Sequence, residues 1–349
     1  MSTLIKNLHI QNFKSVRDLS LNCDRINIFI GKPNAGKSNI LEAVSLLGVN
    51  YYSLKDNPPK LLETTIRYKS LIHLFNNFNI RNAISITTNN TNVKIEESKS
   101  IESAFRFVSE SLVSESTDRE EFESIQVYKT QTEIQLASDG SILGYSTPEM
   151  SPKPSKIKKY QFAGLIEEKN EGFVLNPPHG NNFYAVIESH PQLRAEISEF
   201  LKPNGLEFLL DLENQRLAVI QKTADTLITF PLNLVPDTFQ RYIFHLAAIF
   251  SNRDSVLLFE EPESHSYGSY IYELAQHILN DEGENQYFIT THNPYFLTPM
   301  LQEGKDVALF VTWFEDYQTH ARRLTEEEIS GVLNYGMDIF LNLKHFIPA

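Results

Sequence analysis

Cysteine is almost absent from this sequence of 349 residues, and long hydrophobic runs are absent altogether. The single cysteine, Cys23, cannot form a disulfide within the chain, which favours a reducing compartment. The apolar run at 307–311 has the length of a strand and is far too short to span a membrane. Residues 1–6 lack the basic and apolar segments of a signal peptide. We therefore expect a cytoplasmic protein without a membrane-spanning segment.

Positive charge is also scarce. Lys and Arg number 31 against 44 Asp and Glu, which gives a net charge of −13. A broad nucleic-acid-binding surface requires clustered Lys and Arg, so this composition argues against one, although a local DNA site stays possible. One basic run, 153–159, contrasts with the acidic background, and it is either a solvated linker or an arm that contacts phosphate. The length suggests one large or two moderate domains.

A glycine- and lysine-containing motif follows the strand that we predict at 26–30. It has the spacing G-x-x-x-x-G-K-S, and the residues expected to surround phosphates are Gly31, Lys32, Pro33, Asn34, Ala35, Gly36, Lys37, Ser38 and Asn39. The glycines allow backbone N–H groups to face phosphate oxygens at the start of the predicted helix. Lys37 brings a positive charge to the β- and γ-phosphates, and the Ser38 hydroxyl can bind Mg²⁺. The motif therefore predicts a site for ATP and Mg²⁺.

Acidic and imidazole side chains follow two further predicted strands. Glu260 and Glu261 end the strand predicted at 255–259, and His292 follows the one predicted at 286–291. Carboxylates at the end of a buried strand are costly unless they face a cation, which here would be Mg²⁺. One glutamate would hold the metal while the other orients or deprotonates the attacking water, and His292 would donate to the γ-phosphate or to that water. This arrangement predicts ATP hydrolysis.

The remaining pattern predicts a nucleotide-binding core that is interrupted by an inserted lobe. Lys14 lies in the turn between two predicted N-terminal strands, where it either approaches the nucleotide or is exposed. From about 98 to 126 the pattern predicts a helix, because Ile101, Phe105, Val108 and Leu112 have helical spacing. Later we predict three short strands near 206–211, 216–221 and 226–230, a helix at 238–251 and an edge strand at 319–324. The predicted domains are 1–95 (core, first part), 96–180 (inserted lobe) and 181–349 (core, second part).

The order of these motifs resembles the ATPase heads of the ABC class, in the branch that contains RecF, OLD and SMC proteins, and is most similar to stand-alone OLD-like bacterial ATPases of the AAA type. The resemblance depends on the segments 12–15, 31–38, 258–263 and 290–294. It implies an α/β P-loop NTPase with a mixed sheet, N-terminal antiparallel strands and an inserted helical and β lobe. It also implies that Lys37 and Ser38 bind phosphate and Mg²⁺, that Glu260 supports Mg²⁺, that Glu261 is the catalytic glutamate and that His292 senses the γ-phosphate.

The sequence departs from this family pattern at three positions. Glu260 stands where the family usually has Asp. The segment 235–241, which would align with the signature loop, lacks glycine and contains Pro236, although Gln240 or Arg241 could substitute. No clear glutamine loop is visible, and the segment 74–76 is a candidate for its place.

The resemblance implies that two heads close face to face on ATP as a homodimer and reopen after hydrolysis. OLD proteins often continue into a nuclease domain and this chain does not, so we expect a separate effector protein, such as a nuclease, in defence against phage or foreign DNA. The alternative is a DNA-binding repair ATPase of the RecF or SMC kind, which the acidic charge disfavours. An energy-coupling subunit of a transporter is a third possibility, which the degenerate signature loop disfavours.

Overall fold

The computed structural model describes residues 4–50, 54, 60–102, 104–119, 122–146, 154–165, 170–334 and 339–348. The sixteen strands within these residues are β1 (Asn7–Phe13), β2 (Val16–Asn22), β3 (Ile26–Gly31), β4 (Ile84–Thr88), β5 (Thr91–Glu97), β6 (Ala104–Arg119), β7 (Phe122–Ala137), β8 (Ile142–Ser146), β9 (Ile157–Tyr160), β10 (Leu206–Asp211), β11 (Arg216–Lys222), β12 (Leu227–Pro231), β13 (Val256–Glu260), β14 (Gln286–Thr290), β15 (Val307–Glu315) and β16 (Gln318–Arg323). The seven α-helices are α1 (Lys37–Leu46), α2 (Phe183–Ser189), α3 (Pro191–Leu201), α4 (Asp237–Ser251), α5 (Gly268–Leu279), α6 (Pro294–Glu303) and α7 (Glu326–Asn334). None of the helices described here is long and apolar enough to cross a membrane.

A six-stranded sheet with the order β16-β15-β3-β14-β13-β9 carries the predicted motifs. All neighbouring pairs are parallel except β15 with β16, so the carboxyl ends of β3, β13 and β14 meet at one edge. These strands are continuous apolar runs because both faces of the sheet are covered. Phe29 packs between Phe288 and Phe310 on the face that meets α1, whereas Ile28 and Leu257 face the core formed with α4, α5 and α6.

A seven-stranded antiparallel sheet with the order β2-β1-β4-β5-β6-β7-β8 covers α1 from the other side. The helix predicted at about 98–126 is wrong, because β6 and the beginning of β7 occupy this region as long paired strands. Phe105 and Phe107 are both buried there, and their spacing of two residues is that of a strand with one face inward. The helical spacing of Phe105 with Val108 and Leu112 was therefore coincidental.

Several other elements agree with the sequence. The three short strands are confirmed as β10, β11 and β12, which form a separate antiparallel sheet. The helix at 238–251 and the edge strand at 319–324 are confirmed as α4 and β16. Polar turns between the apolar segments mark the boundaries of β10, β11 and β12.

The basic run at 153–159 is neither a linker nor an arm in its described part. Lys153 lies outside the described residues, but 157–160 is β9, an edge strand parallel to β13. Lys159 of this strand is only 7% exposed and lies near Glu260. Although β9 falls within the 96–180 range predicted as an inserted lobe, it belongs to the sheet that carries the phosphate loop.

Candidate active site

The phosphate loop joins β3 to α1, and glycine is required at two of its positions. Gly36 precedes the helix with a φ of 95°, and a Cβ atom there would overlap the Thr319 side chain of β16. A Cβ atom on Gly31 would overlap the carbonyl oxygen of Thr312 in β15. The side chains of Lys32, Pro33 and Asn34 are exposed above this tightly packed base, and Ala35 is buried. The loop therefore has the shape of a cradle that is open toward solvent, as phosphate binding requires.

Lys37 lies inside this loop. Its side chain is buried, and its Nζ donates to the carbonyl oxygens of Gly31 at 2.9 Å and Lys32 at 3.0 Å. Burial lowers the pKa of Lys37, while the charges of Glu261 and Glu260 oppose this shift. The loop thus holds the ammonium group where the charges of both glutamates affect its pKa.

The two residues after Lys37 differ in their surroundings. Ser38 is half-buried in the first turn of α1, as expected for a residue that can reach a phosphate-bound ion. Asn39 instead donates from its Nδ2 to the Ser15 hydroxyl at 2.6 Å, and that hydroxyl lies 2.6 Å from the Thr319 hydroxyl. Asn39 therefore ties α1 to the β1–β2 turn and to β16.

Glu261 and His292 come together where β13 and β14 end. The backbone N–H of Glu261 donates to the carbonyl oxygen of Thr290 at 3.0 Å, and His292 Nε2 lies 3.4 Å from Glu261 Oε1. Their side chains are 44% and 36% exposed, so both can reach a ligand. Burial lowers the pKa of His292, the charge of Lys37 lowers it further, and Glu261 opposes the shift. The three strand ends therefore place a lysine, a glutamate and an imidazole around one opening.

Glu260 is bound by cations of the chain itself. Arg67 Nη2 lies 3.2 Å from its Oε1 and Lys159 Nζ lies 3.7 Å from its Oε2. The same Arg67 contacts Glu42 of α1 through its Nε at 3.1 Å. Arg67 and Glu42 were missed from the sequence, and Lys159 was considered only as part of the basic run 153–159, because no local spacing links positions so far apart in the chain.

Lys14 points to this network. Its Nζ donates to Glu42 and to the Arg67 carbonyl oxygen, the latter at 2.8 Å. Glu42 is fully buried, so the contacts from Lys14 and Arg67 compensate its charge. Lys14 therefore holds α1 through Glu42 in this structure and acts on the phosphate loop only indirectly.

The remaining candidate segments have partners within the chain. Gln240 Nε2 donates to the carbonyl oxygens of Asn233 at 2.9 Å and Val235 at 2.8 Å. Arg241 Nε lies 2.6 Å from Asp237 Oδ2. His265 is exposed. Asn76, in the segment proposed for the glutamine loop, is buried and donates to the carbonyl oxygen of Lys14 at 2.7 Å.

The donor set around the loop fits Mg²⁺ only together with phosphate. Among the described residues, no group of three or more His, Cys, Asp or Glu side chains is placed to hold a metal ion. Mg²⁺ in nucleotide sites is usually bound by one or two protein oxygens plus phosphate oxygens and water. Ser38 and Glu260 can supply those protein oxygens, provided that Glu260 loosens its contacts with Arg67 and Lys159.

The chain is similar in sequence to a known family and to a known protein. The family model described as "AAA domain, putative AbiEii toxin, Type IV TA system" matches residues 26–298. An "ATP/GTP phosphatase" of Helicobacter pylori is 23% identical over 329 residues, which cover 84% of this chain and 86% of that protein.

Two solved structures of SMC heads are similar in fold. One is bound to the C-winged helix domain of ScpA, with 12% identity, a TM-score of 0.50 and coverage of 94% of this chain and 99% of that chain. The other, from Pyrococcus furiosus, has an extended coiled coil and is bound to the C-terminal domain of ScpA, with 11% identity, a TM-score of 0.51 and coverage of 95% and 98%. At such identities the likeness concerns the fold, and it confirms the predicted α/β P-loop architecture with mixed sheets.

Proposed function

Because the chain belongs to the AAA domain family whose model spans residues 26–298 and is an ATPase with the fold of SMC heads, we propose that it is an ATP-driven switch that dimerises on ATP and controls a separate effector protein. The observation that supports it most is the meeting of Lys37, Glu261 and His292 at three strand ends. The proposal also includes membership of the OLD-like branch and a role in defence against phage or foreign DNA. The family description, which names a toxin of a toxin–antitoxin system, supports the latter.

In this proposal the chain's own residues divide the work of hydrolysis. The loop N–H groups and Lys37 bind the phosphates and stabilise the charge that develops during transfer. Glu261 accepts a proton from the attacking water, since Glu260 is already engaged by Arg67 and Lys159. His292, whose lowered pKa favours the neutral imidazole, still has one N–H that can donate to the γ-phosphate. Mg²⁺ would be held by Ser38 and, once its contacts with Arg67 and Lys159 loosen, by Glu260, and it would neutralise phosphate charge.

The variant Glu261→Gln tests the switch. Removal of the base should slow ATP hydrolysis by on the order of 100-fold or more, because proton transfer contributes about that much. ATP affinity should change little, so closed dimers should accumulate. Light scattering after size-exclusion chromatography, with and without ATP, measures the dimer, and a coupled phosphate assay measures hydrolysis. Hydrolysis at the unmodified rate would transfer the base role to Glu260, and a monomer in the presence of ATP would refute the switch.

The DNA-binding repair ATPase is the alternative that the fold likeness to SMC heads supports. Its net charge of −13 opposes it. Titration of duplex DNA at about 50 mM and 200 mM salt distinguishes the two, since phosphate contacts weaken steeply over that range. Binding that disappears at the higher salt, together with ATPase stimulation by DNA, would favour the repair function over the effector switch.

A further inference from the structure

Glu263 is a buried carboxylate that the proposed chemistry does not use. It lies in the turn after β13 and is only 5% exposed. Its Oε1 accepts hydrogen bonds from the Thr291 hydroxyl and from the backbone N–H of His292, the latter at 3.2 Å. Both donors lie beyond the end of β14. The side chain therefore joins the turn that carries Glu261 to the turn that carries His292.

The other carboxylate oxygen has no compensation. Among the described residues, Glu263 Oε2 is buried without a hydrogen-bond partner. Burial raises the pKa of Glu263 to about 7, against the hydrogen bonds from Thr291 and His292 that favour the charged form. A buried carboxylate oxygen without a partner is costly, whereas an apolar side chain in its place would leave the Thr291 hydroxyl and the His292 N–H without this acceptor. The cost indicates that the two hydrogen bonds have a use.

A second connection between the turns shows what Glu263 adds. Glu261 N–H already donates to the Thr290 carbonyl oxygen at 3.0 Å, which fixes the strand ends. This bond does not reach His292. Beyond Glu263, the Thr291 hydroxyl also accepts from Asn293 N–H at 3.0 Å, and Asn293 Oδ1 caps α6 by accepting from Tyr295 N–H at 2.8 Å. The carboxylate thus anchors a short chain of bonds on both sides of His292.

We infer that Glu263 is a positioning residue, which holds the turn after β14 so that the His292 imidazole stays beside Glu261 and faces the opening above Lys37. The inference rests on the proposed ATP hydrolysis for its catalytic meaning. Glu263 itself is buried and does not touch the phosphates. Its effect on turnover passes through His292.

The test compares Glu263→Gln with Glu263→Met. Glutamine keeps an Oε1 acceptor of the same reach, so kcat should stay within about threefold of the unmodified protein. Methionine keeps the length without an acceptor, so kcat should fall by about 10- to 100-fold, as for a misplaced catalytic group. The Kd for ATP, measured by calorimetry in both variants, should change little. Equal kcat in the two variants would overturn the inference.

A second readout does not depend on hydrolysis. NMR titration of the His292 imidazole, assigned by its loss in His292→Ala, should give a pKa below 6.5 in the unmodified protein and in Glu263→Gln. In Glu263→Met the pKa should rise toward 6.5, because the ring is released into solvent. An unchanged His292 pKa in Glu263→Met would overturn the inference even if the ATPase works. A shifted pKa would support it even if the ATPase assignment fails.

Thr291→Val provides a milder version if Glu263→Met does not fold. It removes one of the two donors to Glu263, so kcat and the His292 pKa should move in the same direction by a smaller amount. Thr132→Val is the matched control, because Thr132 is also buried but lies on β7 in the seven-stranded sheet. Identical behaviour of Thr291→Val and Thr132→Val would contradict a role for the bond at Glu263.

Discussion

Lys37 shows how a single side chain depends on its surroundings. It is buried, yet its ammonium group makes hydrogen bonds only with carbonyl oxygens of the loop among the described residues. A triphosphate would provide a charged partner for the same donors, and such hydrogen bonds are about twice as strong as neutral ones. The hydrogen bonds of the buried ammonium group should therefore be strongest when a nucleotide is bound.

Lys37→Ala should weaken ATP binding by about 10- to 100-fold, which corresponds to the loss of one charged hydrogen-bonding group. Isothermal titration calorimetry with ATP measures this change. Lys305→Ala is the control, since Lys305 is exposed and lies before β15, at the end of the sheet opposite the loop. ATP affinity that is unchanged in Lys37→Ala would refute the phosphate-loop assignment.

The site residues were only partly predictable from the sequence. Lys37, Glu261 and His292 each follow a strand within a few positions, so local patterns were sufficient to nominate them. Glu42 and Arg67 act through contacts between distant segments, and Glu42 in particular has no charged residue within four positions in the sequence that would indicate a buried ion pair. The roles of Lys14 and Glu260 stay predictions, because the structure shows both in contact with other side chains.

At the scale of elements, α4 carries a titratable group in the core. His245 is buried between Phe244 and Phe259, and its Nδ1 lies 2.8 Å from the Arg241 carbonyl oxygen. Burial lowers the pKa of His245 from 6.5 to about 4. Below pH 6.5 the unfolded chain therefore takes up a proton that the folded chain refuses, and stability falls as the pH falls.

This linkage predicts that His245 alone reduces the free energy of unfolding by about 1.4 kcal/mol for each pH unit between pH 6.5 and about 4. Other groups also titrate, so the comparison must be with His245→Leu, in which this contribution is removed. Urea unfolding at several pH values should give a shallower decline for the variant. Parallel curves for the two proteins would show that His245 is protonated in the folded state.

Element prediction succeeded where the hydrophobic period was unambiguous. Continuous apolar segments gave β13 and β14, and alternation between polar turns gave β10 to β12. It failed at β6, where Phe105 fits both a helical and a strand period. It also failed at β9, an edge strand in which Lys159 pairs with Glu260 and Lys158 donates to Asn252 Oδ1. Only tertiary contacts decide such cases.

At the scale of the whole molecule, the hairpin of β6 and β7 extends beyond its own sheet. Past Leu112, seven residue pairs, from Val113 with Tyr128 to Arg119 with Phe122, join only these two strands among the described residues. At about 3.4 Å per residue the ribbon is roughly 24 Å long. Two-stranded ribbons are marginally stable alone, so its backbone contributes little to the fold of the head.

Replacement of residues 113–128 by Asn-Gly, a favoured two-residue hairpin turn, should therefore leave the head intact. We expect an unchanged midpoint of urea unfolding and an unchanged rate of ATP hydrolysis in the unstimulated protein. A lower midpoint would show that the ribbon packs on the head. A changed rate of ATP hydrolysis would show that the ribbon takes part in the ATPase cycle. It would then contradict the predicted separation of residues 96–180 from the nucleotide-binding core.

The contact between Gly36 and Thr319 makes substitutions at these two positions unequally tolerable during evolution. Position 319 can shrink and lose only its bond to Ser15, whereas position 36 cannot enlarge, because its φ of 95° and the neighbouring strand both exclude a side chain. A substitution is therefore tolerated at position 319 but not at position 36. A smaller residue could replace Thr319 during evolution. Alanine at position 36 would still be excluded afterwards, because the φ of 95° does not depend on Thr319.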